Sequence, residues 1–209
     1  MRNRAENQIK LVMIRHGATP SNKEHRYLGR TDEGLSMEGE RALQEARDTY
    51  PSVDYLFASP MKRCVQTARI LYPQQEIFVI PDWVETDFGD FEGKNYVELK
   101  ENEYYQKWID SNGTLPFPNG ESREDFIERC KQGFYKMLLQ LKSQNHMNIT
   151  MTAGLVIHGG TIMSLLSTFC GGEYFDYQVG GGQGYICTLN ETQEYPQMVD
   201  VQKIGQDRL

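Results

Sequence analysis

The chain has 209 residues, 39% of them hydrophobic, four cysteines and a formal net charge of -7. That length and apolar content suit one core-forming domain over residues 1–209, and no apolar run reaches the roughly 20 residues that a membrane span requires. The acidic balance excludes broad electrostatic binding to nucleic acid or to an anionic membrane and leaves room only for a focal cationic site. Cys64, Cys130, Cys170 and Cys187 show no C-x-x-C spacing, so neither a zinc ribbon nor a disulfide scaffold is indicated, and reduced thiols are expected. The opening "MRNRAENQIK" has no apolar stretch of signal-peptide type, which makes the cytoplasm the expected compartment.

Ile9 to Ile14 is a near-continuous apolar, β-branched run, as expected of a buried strand in a parallel sheet, and it breaks into Arg15-His16-Gly17. After a polar loop, Ser36 can cap a helix from about Met37 to Tyr50, with Ala42, Leu43 and Ala46 on one face and Pro51 closing it. Tyr55 to Ala58 is a short strand. Ser59-Pro60 reads as a cap followed by proline at the first helical position, opening a helix to about Leu71. Ile77 to Ile80 is another short strand, and Phe88 to Gly120 is less regular, with a helical reading over Asn95 to Asp110 and a turn-rich "SNGTLPFPNGES". Ser122 with Asp125 resembles a capping arrangement for a long helix from Arg123 to about Lys142. Ile149 to Ile157 is the next strand and ends at "HGG". A short apolar helix covers Thr161 to Phe169, and Tyr185 to Asn190 and Tyr195 to Val201 are two terminal strands. Alternating strands and helices without internal repeats argue for a layered α/β fold.

Two of these strands end alike: His158-Gly159 follows a buried strand just as His16-Gly17 does. In open α/β sheets ligands bind beyond the carboxyl ends of the strands, and a glycine there lets backbone amides approach an anion. A lone histidine in such a place is more often a satisfied turn residue; two at matching strand ends point to one pocket. Arg15 is adjacent, and Arg63 lies in the first turn of a helix that also follows a strand end. A cation is electrostatically unhelpful at a helix N-terminus unless an anion is held there. The candidate ligand is phosphate.

In chain order, "RHGATPSN", the Gly and Asp of "LGRTDEGLS", "EGERALQEA", "ASPMKRCVQTA", "ETDFGDFEG", "PNGES" and "VIHGG" resemble the histidine phosphatase superfamily, which includes the cofactor-dependent phosphoglycerate mutases, from about Leu11 to Leu189. The resemblance implies a three-layer α/β fold with a central, mostly parallel sheet, helices on both faces, and a substrate-covering irregular insertion at about 88–122. It implies that His16 accepts the phosphoryl group, that Arg15, Arg63 and His158 surround it, and that Asn22, Thr19 and Gly159 add contacts. It assigns proton transfer to Glu85, with Asp87, Asp90 and Glu92 as neighbouring competitors. No metal and no cofactor is expected. The partner is a small phosphomonoester, with no nucleic acid and no membrane, and a homodimer is the candidate assembly.

"ETDFGDFEGKNYVEL" lacks the histidine-tyrosine pair and the longer arginine-bearing insertion of the mutases, which favours hydrolysis. "FGDFEG", "YYQKWID" and "PNGES" look most like the α-ribazole-phosphate phosphatases of cobalamin assembly, with broad-specificity sugar-phosphate phosphatases sharing much of the pattern. Tyr104, Tyr105 and Trp108 are open to two readings, an aromatic wall for a benzimidazole ribotide or core packing at helical spacing. A metal site on His16 and His158, and a catalytically silent phosphate-binding protein, are the alternatives from other classes; ligand spacing does not support the first and the complete residue set disfavours the second. The glycine-rich "VGGGQGY" has no sequence-level explanation.

Overall fold

The computed structural model describes residues 8–144, 150–190 and 195–205. The apolar run of the N-terminal strand, β1 (Ile9–Arg15), is continuous because helices cover both its faces. Leu11 and Met13 point into one core layer with Phe126, Phe134 and Leu141, while Val12 and Ile14 point into a second with Leu43, Cys64 and Leu71. A single turn, α1 (Pro20–Lys23), follows, and then α2 (Met37–Ala46). Ser36 caps α2 as its type suggests, accepting from the Gly39 amide at 3.0 Å. The helix is shorter than expected: Arg47–Thr49 tightens into a 3-10 turn, with the Tyr50 amide returning to the Arg47 carbonyl.

β2 (Tyr55–Ala58) leads into α3 (Lys62–Leu71), and β3 (Ile77–Val79) forms the sheet edge. The Ser59-Pro60 reading is corrected here. Met61 occupies the cap position without a side-chain bond, and Ser59 turns its hydroxyl inward to the His158 ring. The helical reading over Asn95 to Asp110 divides into α4 (Tyr96–Leu99) and α5 (Glu103–Asp110). Asn95 caps the first and Asn102 the second, and each cap fixes an extended backbone that a single helix could not contain. Phe91, Leu99 and Tyr105 form a third apolar cluster beneath this segment, with Tyr27, Phe88 and Phe117 packed on it.

The long helix α6 (Arg123–Gln144) precedes β4 (Met151–Ile157); Ile149, in the sequence reading of that strand, lies outside the described residues. α7 (Gly159–Phe169) begins two residues earlier than expected, directly after His158. β5 (Gly184–Asn190) and β6 (Gln197–Ile204) close the chain's pattern. The sheet order is β3-β2-β4-β1-β5-β6. Its first four strands are mutually parallel, β5 runs antiparallel to β1, and β6 runs antiparallel to β5. This is the expected α/β architecture with a mostly parallel sheet between two helical layers. Among the described residues no helix is long and apolar enough to cross a membrane.

Packing of α6 against the fully buried Trp83 is tight. A Cβ at Gly133 would lie 2.6 Å from the indole Nε1, which itself donates to the Cys130 carbonyl at 3.3 Å. Gly133→Ala gains about 1 kcal/mol of helix propensity, whereas forcing a methyl into a filled core costs about 1–3 kcal/mol. The clash wins, so the variant should unfold at lower urea concentration than wild type. A raised midpoint would show that Trp83 gives way freely.

Candidate active site

Parallel pairing of β1 with β4 aligns Arg15 with Ile157, so the residues that follow, His16 and His158, leave the sheet side by side. The His16 amide bonds the Ile157 carbonyl at 2.9 Å, and the two imidazoles meet edge to face at 5.2 Å. His16 Nδ1 is 2.8 Å from the Gly17 carbonyl, which can only accept. Nδ1 therefore carries the proton, and Nε2 keeps a free lone pair. Burial, with Arg15 and Arg63 nearby, holds the His16 pKa well below the ordinary 6.5, so the ring is neutral and nucleophilic. His158 is fully buried and shifted the same way, by burial first and then by Arg63. Its Nε2 is 2.8 Å from Ser59 Oγ.

The arginines are held by backbone carbonyls. Arg63 is fully buried, with Nη1 donating to the Thr31 carbonyl and Nη2 to the Gly29 carbonyl, each at 2.9 Å. Arg15 Nη1 donates to the Val179 carbonyl at 2.6 Å. This accounts for the glycine-rich segment that the sequence alone does not explain. The Gly182 amide bonds the Arg15 carbonyl at 3.0 Å, the Arg15 amide bonds the Gln183 carbonyl at 2.8 Å, and Tyr50 Oη ties the loop back at the Gly182 carbonyl, 2.6 Å away. Gly182, at φ +77, takes a conformation that side-chain-bearing residues rarely adopt.

Glu85 is buried and lines the same cavity as Arg15 and His16. Burial raises its pKa above the ordinary 4.5 against the opposing pull of the Thr86 amide and of both arginines. Its Oε1 accepts from the Thr86 amide at 2.9 Å. Gly160 makes room for it, since a Cβ there would lie 2.5 Å from Oε1. The segment bearing Glu85 is clamped from α6: Arg129 donates to the Asp82 and Val84 carbonyls at 2.6 and 2.8 Å and pairs with Glu121 at 2.7 Å. The competing acids are engaged elsewhere. Asp87 accepts from the Gly89 amide, Asp90 from Asn119, and Glu92 from the Gly29 and Thr31 amides.

Asn22 and Gly159 line the cavity, whereas Thr19 is fully buried and spends its hydroxyl capping α1, accepting from the Asn22 amide at 3.3 Å. Tyr105 is core, and Tyr104 donates to the Pro116 carbonyl; of the three aromatics singled out in the sequence, only Trp108 reaches the cavity. The other lining aromatic rings, Tyr27, Phe88, Tyr96, Phe117, Phe126, Tyr174 and Phe175, come from distant segments that no local pattern connects.

The fold and the paired strand-end histidines define a phosphoglycerate mutase-like α/β protein: a phosphoglycerate mutase structure from Thermus thermophilus superposes with a TM-score of 0.66 at 26% identity, covering 96% of this chain and 99% of that one. The chain belongs to the histidine phosphatase superfamily, branch 1, whose model matches residues 11–202. An uncharacterized phosphatase of Bacillus subtilis is 30% identical over 167 residues, 78% of each chain. The adenosylcobalamin/alpha-ribazole phosphatase of Escherichia coli is 28% identical over 173 residues, 78% of this chain and 80% of that one. The chain spans 36% of the length of mycobacterial relatives from Mycobacterium bovis and Mycobacterium tuberculosis that it matches at 32% identity over 133 residues, 59% of its own length.

The tautomer and charge of His16 are directly measurable. Nitrogen-15 NMR at pH 6.5 should show His16 neutral with Nδ1 protonated, acquiring charge only at lower pH. A half-charged ring at pH 6.5, or a proton on Nε2, would contradict the hydrogen-bond assignment.

Proposed function

We propose that the chain is a phosphomonoester hydrolase working through a phosphohistidine. The observation that carries this reading is that a neutral His16 with an unbonded Nε2 lines the same cavity as Arg15 and a buried Glu85 whose pKa is raised. His16 Nε2 attacks phosphorus as the bond to the alcohol oxygen breaks, and Glu85 delivers its proton to the departing alkoxide. Glu85, now ionised, takes a proton from water, whose oxygen attacks the phosphohistidine and releases inorganic phosphate. His16 is thereby restored with its lone pair free. Arg15, Arg63 and His158 stabilise charge on the non-bridging oxygens in both steps, with Asn22 and the Gly159 amide as further donors.

The finer reading is hydrolysis of α-ribazole 5'-phosphate in cobalamin assembly, in the cytoplasm. It is supported by the motif resemblance, by the named Escherichia coli relative, and by a cavity of about 650 Å3, far larger than a phosphate needs and suited to a ribotide-sized alcohol. Mutase chemistry is disfavoured by the absence of the histidine-tyrosine pair after "ETDFGDFEG".

Leaving-group chemistry tests the roles. His16→Ala should lose activity by several orders of magnitude on every phosphomonoester while remaining folded. Glu85→Gln should lose much more on alkyl phosphates, whose alkoxide needs a proton, than on p-nitrophenyl phosphate, whose phenolate leaves without one. Selective loss in an Asp90 variant instead would move the proton donor, and near-normal turnover by His16→Ala would overturn the mechanism.

A further inference from the structure

Large aromatic side chains are normally covered, yet two at this cavity are not. Tyr96, at the start of α4, is 61% exposed, and Phe175, in the turn after α7, is 43% exposed; both line the cavity that contains His16 and Glu85. They come from separate parts of the chain, so a single unfilled patch of core does not account for both. Exposed apolar surface gathered at one concave site marks a place where a ligand covers it.

The Phe175 wall is braced. The Arg123 guanidinium sits 5.1 Å from the ring centroids of both Tyr174 and Phe175, which themselves meet edge to face at 5.2 Å. Arg123 also donates through Nη2 to the Asn112 carbonyl, which joins this wall to the loop beyond α5. A guanidinium between two rings holds them at a fixed angle without burying their outer faces. The wall adjoins the part of the site that holds Glu85. Tyr174 Oη reaches the Gly160 carbonyl at 3.4 Å, and Gly160 is the residue against which the Glu85 carboxyl packs.

Resting on the phosphatase reading above, we propose that Tyr96 and Phe175, the latter braced by Arg123, form a ring-binding subsite for a planar aromatic group on the substrate's alcohol. The phosphoryl group sits at His16 and the alcohol oxygen beside Glu85, with the ring beyond them between the two exposed aromatics. A planar aromatic group gains from stacking there, a contact that a sugar or glycerol, having no π face, matches less well. The subsite contributes binding that is equal in ground and transition states, so it acts on KM and leaves kcat unchanged.

The test compares α-ribazole 5'-phosphate with ribose 5-phosphate, which shares the reacting end and lacks the ring. Phe175→Leu and Tyr96→Leu, which keep apolar bulk and remove planarity, should each raise KM for α-ribazole 5'-phosphate about fivefold, the low end of a lost stacking contact. The kcat for that substrate and both constants for ribose 5-phosphate should be unchanged, and Phe175→Tyr should behave as wild type. Equal changes on the two substrates, or none on either, would overturn the subsite while leaving the phosphohistidine reading intact. Binding of α-ribazole itself, followed by quenching of tryptophan fluorescence, decides the matter without turnover. Weaker binding in both leucine variants supports the subsite, and unchanged binding rejects it even if neither phosphate is hydrolysed.

Discussion

The register between β1 and β4 is the constraint on which the site depends. Because Arg15 lies opposite Ile157 in a parallel pair, the chain turns away from both strands at the same level, and His16 and His158 emerge together. A slip of one residue would exchange Leu11 and Met13 with Val12 and Ile14 between the two core layers and would separate the imidazoles. The apolar alternation that fills both layers therefore also sets the geometry of the candidate site. α7 starts directly after β4, and α3 follows β2, the strand paired with β4 on its other side, which brings Gly159–Gly160 and Arg63 to the level of the histidines.

Around this pair the protein gathers positive charge without neutralising it. Among the described residues no carboxylate lies within ion-pair distance of Arg15 or Arg63, and the Nε atoms of both are buried without a hydrogen-bond partner. Backbone carbonyls from the Gly29–Thr31 loop and from Val179 hold the guanidinium groups in place and leave their charge available. Buried cations without acidic partners are costly unless an anion completes the site. The same burial holds both histidines well below their ordinary pKa and raises that of Glu85, because desolvation outweighs the pull of the arginines on the carboxyl. One physical cause thus shifts the proposed nucleophile and the proposed acid together.

Much of this is legible in the sequence because strand-end residues carry local signals. The "RHG" and "HGG" turns, the apolar runs before them and the helix after Ser59 each announce themselves within a few residues. Ser59 reads as a cap because its type and the following proline fit one; in the fold its buried hydroxyl lies 2.8 Å from His158 Nε2 and is reached by the Met61 amide only at 3.4 Å, so its main partner is the histidine. The break between α4 and α5 turns on Asn102, whose capping preference competes with helix continuation at a level that composition does not decide. The "VGGGQGY" segment signals a need for close backbone approach, but its object, the Arg15 turn, is more than 160 residues away. The aromatic cavity lining is out of reach for the same reason: Tyr27, Phe117 and Phe175 share no period, and only the fold brings them to one cavity.

Phosphoryl transfer through His16 requires two in-line displacements at phosphorus, each inverting configuration, whereas direct attack on the substrate requires one. Transfer from a phosphomonoester made chiral with oxygen-16, oxygen-17 and oxygen-18 to an acceptor alcohol that replaces water distinguishes the two routes. The account predicts net retention of configuration at phosphorus in the new ester, and net inversion would contradict it.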